Sequence, residues 1–175
     1  MIYAPLEASD PQRAAVVKRK VLERLTDMPR HYRALDAAMA AFGEGFVREQ
    51  FARAAASEDP TELNRVKAIE RGVDQLFNYV AELGALGLEL AEPRAPCDEP
   101  ERARRLRRLR EIGAIDEQLG DQLTRVARFR NRMVHDYVGI AALDVHEAAR
   151  LIHAALPRFV TAYQQWLRAG FPVTR

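Results

Sequence analysis

Three observations predict an all-α fold, an antiparallel bundle of five or six helices. Apolar residues recur at the helical period of about 3.6 almost from end to end, while strand-like alternation is nearly absent. Asp-Pro pairs stand where periodic stretches begin, at Asp10-Pro11 and Asp59-Pro60, and glycines cluster where such stretches fade. The third observation is composition: 175 residues, 48% of them hydrophobic and 30% charged, supply one domain with a core and exclude a disordered chain.

Asp10 reads as an N-cap before the first-turn proline Pro11. Val17, Val21, Leu25 and Met28 then share one helical face, and a second stretch carries Leu35, Met39, Phe42 and Phe46. Gly43 and Gly45 predict a kink in that stretch. Asp59-Pro60, with Glu62 at the capping-box position, opens a helix striped by Leu63, Val66, Ile69, Val73, Leu76, Val80 and Leu83. Gly84 and Gly87 predict its stop, and residues 91–100 (AEPRAPCDEP) read as a linker. A short basic helix follows, Glu101 to Ile112, with a turn at Gly113-Ala114. Asp116 caps a helix carrying Leu119, Leu123, Val126 and Met133, with Gly139 as its stop. Asp144, with Glu147 three residues on, is expected to cap the last helix, whose stripe runs from Val145 through Ile152, Phe159 and Tyr163 to Trp166. Pro157 is expected to bend it. The chain divides into an N-terminal helical hairpin, residues 1–58, packing on a core of residues 59–175, within a single domain.

Charge and cysteine narrow the function classes. Net charge is +2, too balanced for a bulk nucleic-acid coat, and no stretch of about 18 uncharged apolar residues predicts a membrane span. The first twelve residues lack a cationic start and an apolar run, so no signal peptide is expected, and the single Cys97 favours a reducing, cytoplasmic location. Arginine outnumbers lysine, which stands only at 18, 20 and 67. That bias suits bidentate phosphate contacts and equally suits a GC-rich genome.

One residue breaks the pattern. Arg130 lies seven after Leu123, in the middle of an apolar stripe, and an arginine there needs a partner. An acid across the bundle, Asp74 or Glu70, is one candidate; a functional site is the other. Asn131 and His135, four apart, share one flank of the same helix, and Tyr137 returns to Arg130's face if the helix continues. His146 and His153 fit a packed or solvated helix face. The densest charge, Arg102 to Arg110, reads either as a solvated face over the narrow stripe Leu106, Leu109 and Ile112 or as a track for an RNA backbone.

Arg130-Asn131-Arg132-Met133-Val134-His135-Asp136-Tyr137 fits the pattern R-N-x-x-x-H-x-Y. It resembles the signature of HEPN-domain proteins, specifically the HepT branch of toxin–antitoxin systems, with similar order and spacing over roughly residues 60 to 168. The resemblance implies a HEPN-like dimeric bundle and a metal-independent endoribonuclease, with no cofactor, whose active site forms where two motifs meet across a two-fold axis. Arg130 and His135, five apart, differ in direction by about 140° on an ideal helix, and a second chain related by a two-fold axis could bring both pairs into one groove. The expected catalytic residues are Arg130 and His135, with Asn131 orienting the imidazole or substrate. RNA brings its own nucleophile, the 2′-hydroxyl; histidine can move its proton and arginine can hold the phosphate. The sequence has no H-E-x-x-H, no cysteine pair and no carboxylates at ligand spacing. Arg132, Arg105 and Arg108 are weaker RNA-binding candidates, and Asn78 and Asp74 are candidates for supporting polar contacts. The resemblance further implies a type VII-like system in which a minimal, MntA-like nucleotidyltransferase antitoxin neutralises the toxin by attaching AMP to Tyr137. The competing readings are a catalytically silent docking subunit of such a nucleotidyltransferase and a plain helical interaction protein.

Overall fold

A computed structural model describes residues 5–92, 102–135 and 142–170. These form seven α-helices and no strand: α1 (Leu6–Ser9), α2 (Pro11–Ala40), α3 (Arg48–Ala55), α4 (Pro60–Ala91), α5 (Arg102–Glu111), α6 (Glu117–His135) and α7 (Ala142–Arg168). The fold is the expected all-helical bundle. Central α4 touches every other helix, and the buried apolar residues of α1 to α7 merge into one core. The N-terminal helices therefore share their core with the rest of the chain.

Three expected caps form. Asp10 accepts from the Arg13 amide at 2.9 Å, Asp59 from Thr61 at 2.8 Å and Asp116 from Leu119 at 2.7 Å. Each satisfies an amide that the first helical turn leaves unpaired. The capping box does not form: Glu62 pairs with Arg65 at 2.9 Å, and the Asp59 amide bonds the Ser57 hydroxyl instead.

Other expectations are corrected. The two stretches between Val17 and Met39 belong to one helix, α2, which passes through Pro29. A proline inside a helix removes one backbone bond; here Met28, Leu35 and Met39, buried on either side, hold the helix in place. Gly43 and Gly45 do not kink a helix; they end one, with φ of 87° and 77°, and Phe46 follows at 56°. α4 does not stop at Gly84 and Gly87 but runs on to Ala91. A β-carbon at Gly84 would stand 3.0 Å from Leu109 of α5, and one at Gly87 2.7 Å from the Tyr163 hydroxyl of α7. Both glycines are there for close helix packing. α7 begins before Asp144, which lies in its first turn and favours the positive dipole end. The linker from 93, Cys97 and the stop at Gly139 lie outside the described residues.

Candidate functional site

Arg130 sits near the end of α6 because the stripe Leu119, Leu123, Val126 and Phe129 drives that helix into the core. Its Nε donates to Asp74 Oδ1 on α4 at 2.9 Å. The other Asp74 oxygen accepts from Asn78 Nδ2, one turn on, at 3.2 Å. Of the two acids the sequence offered as partners, Asp74 is the one that reaches. Arg130 is 22% exposed and Asp74 37%, so the pair borders solvent rather than lying in the core. The carboxylate takes Nε, and the terminal Nη groups make no hydrogen bond among the described residues. An arginine held by its Nε can still present its far edge to a second anion.

Glu70 lies half-buried one turn before Asp74. Burial pushes its carboxyl above the usual carboxylate range, and Lys67 only partly opposes that.

The octapeptide's other members diverge around α6. Asn131 is exposed and lines a groove between α5 and α6 together with Arg107, Arg110 and Arg128. Arg132 is exposed and reaches Asp144 at 3.5 Å, tying the end of α6 to the start of α7. His135 is the last residue of α6; its side chain, and Tyr137 altogether, lie outside the described residues. Within the described part, Arg130 faces α4 and Asn131 faces α5, so one copy of the motif spreads its polar groups around the helix.

The basic segment divides likewise. Arg108 donates through Nε to Glu92 at 2.8 Å and through Nη1 to Glu111 at 2.8 Å. Glu92 is buried at the end of α4, and its hydrogen bonds, with those of Glu111, hold the guanidinium's pKa above the usual arginine value. Arg108 is thus a clamp between α4 and α5, and its donors meet carboxylates instead of open surface. Arg105 is half-buried. The arginines that line a groove are Arg107 and Arg110, which the sequence reading did not single out. They flank the Leu106–Leu109 stripe on the side that faces α6, which the sequence of α5 alone does not reveal.

His146 and His153 make their contacts away from α6. His146 is buried, stacks on Phe46 with centroids 4.3 Å apart, and its Nε2 bonds the Phe46 carbonyl at 2.7 Å. It locks the left-handed turn that starts α3. His153 pairs with Asp36 at 2.9 Å and stacks on Tyr32.

No helix among the described residues is long and apolar enough to cross a membrane. No curated protein and no solved structure matches the chain. A family model described as ribonuclease HepT-like matches residues 47–163, which include Asp74, Asn78 and the whole octapeptide. That match covers about two thirds of the sequence, and the chain belongs to the HepT-like ribonuclease family.

Proposed function

We propose that this chain is a metal-independent endoribonuclease toxin, neutralised when a partner nucleotidyltransferase attaches AMP to Tyr137. The observation that carries the reading is Arg130, fixed through Nε by Asp74 at the solvent border, five residues ahead of His135 in a HepT-like chain. In this reading His135 takes the proton of the RNA 2′-hydroxyl. The freed oxygen attacks the adjacent phosphorus, and the bond to the 5′-oxygen breaks as that oxygen is protonated. Products are a 2′,3′-cyclic phosphate and a 5′-hydroxyl. Arg130 holds the phosphate through its free edge and stabilises the charge that builds in the transition state. Asn131 orients imidazole or substrate.

A homodimer completes the site. Arg130 and Asn131 point to different sides of α6, and a two-fold axis near the end of that helix brings a second set to the first. Tyr137 attacks the α-phosphorus of ATP within the partner's active site, pyrophosphate leaves and the phenolic proton is lost. The attached phosphate then competes with RNA for Arg130, and the nucleotide blocks access.

The same ion pair also suits the silent docking subunit, in which it is structural only. Incubation of the purified chain with single-stranded RNA in EDTA separates the two. Cleavage is expected, reduced by about 10²–10³-fold in Arg130→Ala and about 10²–10⁴-fold in His135→Ala. A chain that dimerises yet leaves RNA intact is the docking subunit. Tyr137→Phe should still cleave and should resist adenylylation by the partner with ATP and Mg²⁺; modified protein that cleaves at the unmodified rate contradicts the blocking mechanism.

A further inference from the structure

We propose that the groove between α5 and α6 is a backbone subsite for single-stranded RNA, holding phosphodiesters that flank the scissile bond; the proposal rests on the ribonuclease reading above. The groove encloses about 340 Å³. Arg107 and Arg110 enter it from α5, and Asp121, Thr124, Arg128 and Asn131 from α6. Three guanidinium groups thus face one carboxylate. Arg110 reaches Asp121 only at 3.5 Å and Glu117 at 3.9 Å, contacts between exposed groups that contribute little. Arg107 and Arg128 are exposed and pair with no acid among the described residues, in contrast to Arg108, which Glu92 and Glu111 hold. Gly120 keeps the wall low: a β-carbon there would touch the Arg110 Cδ at 3.4 Å, so the arginine stem lies across α6.

Position decides what the groove receives. Asn131 stands toward the C-terminal end of α6, one turn before His135 on the same helix, so a strand lying in the groove runs toward the turn that carries the proposed catalytic histidine. Arg128 and Asn131 follow each other by about 4.5 Å along the helix axis. They offer a forked cation for phosphate and an amide for a ribose hydroxyl or phosphate oxygen. Among the described residues the lining holds no aromatic ring on which a base can stack. Recognition is therefore of the backbone, indifferent to sequence and sensitive to salt.

The test uses full-length protein carrying His135→Ala, which keeps the RNA intact, and a labelled single-stranded RNA read by fluorescence anisotropy. Adding Arg107→Gln with Arg128→Gln should weaken binding and lower the slope of log Kd against log salt by about 1.4, two phosphate contacts on a single strand. Arg125→Gln, exposed on α6 and outside the groove, should change neither. In the His135 enzyme the double variant should raise KM and leave kcat nearly unchanged. Unaltered affinity and slope overturn the subsite, even if wild type cleaves RNA; so does a parent protein that binds no RNA, or a groove whose loss affects only an acidic protein partner. Binding lost in the double variant, with no cleavage by wild type, keeps the subsite and removes the ribonuclease reading.

Discussion

Asp74 and Arg130 stand 56 residues apart in sequence, and α4 and α6 bring them to 2.9 Å. If Asp74 positions Arg130 for phosphate, Asp74→Asn should lower kcat by up to about 10²-fold, the effect of a reacting group misplaced by about 1 Å. The same change in an Arg130→Ala background should add little, because the two act as one unit. Thermal melts should move little, since both partners border solvent. Additive rate losses would show that Asp74 acts by another route. Glu70, one turn earlier, carries a prediction of opposite character. Its folded pKa is raised, so the fold favours its protonated form; that contribution is present below the unfolded carboxylate value and is lost as pH rises through the folded one. Glu70→Gln should therefore raise the melting temperature at neutral pH and leave it unchanged in acid. An equal shift at both pH values would contradict burial as the cause. Sequence periodicity exposed Arg130 as out of place but left open whether Asp74 or Glu70 answers it. Choosing between residues one turn apart requires the rotation of α4 against α6, which no single helix encodes.

Helix starts were legible and helix interiors less so. Asp10, Asp59 and Asp116 cap because capping is local chemistry within three residues. Gly84 and Gly87 misled because a glycine at a close helix crossing looks the same in sequence as a glycine at a stop. What fixes their role is distant: Leu109 on α5, and Tyr163 with Trp166 on α7. Gly87→Ala should destabilise the chain by about 1–3 kcal/mol, as inserted atoms do in a packed core. Tyr163 is wholly buried and donates to the Leu83 carbonyl at 2.6 Å, and its burial raises the phenol's pKa. Tyr163→Phe in the Gly87→Ala background should return part of that loss, because the hydroxyl is the atom the new methyl meets first. Denaturant titration measures both; a neutral Gly87→Ala would mean that α4 and α7 are not held together there.

At the scale of the whole molecule, one contiguous core runs from α1 to α7, so the N-terminal helices are part of the body that presents α6. The family match begins at residue 47, inside the segment read from sequence as the N-terminal hairpin, and takes in α3. The octapeptide was legible because its residues are contiguous in sequence. The groove beside it was not, because it joins α5 to α6 and depends on which arginines the acids Glu92 and Glu111 already hold. The proposed two-fold site predicts a dimer in sedimentation equilibrium at the concentrations where the nuclease is active; activity that persists in a monomer would contradict a shared site.

In the proposed reaction side chains alone move the RNA 2′-hydroxyl onto phosphorus, and the product ends report that step. End-group analysis of RNA cut in EDTA, with wild type and His135→Ala side by side, should find 5′-hydroxyl and 2′,3′-cyclic phosphate ends from wild type and none above background from the variant. Ends bearing a 5′-phosphate, or cleavage that appears only when magnesium is restored, would contradict it.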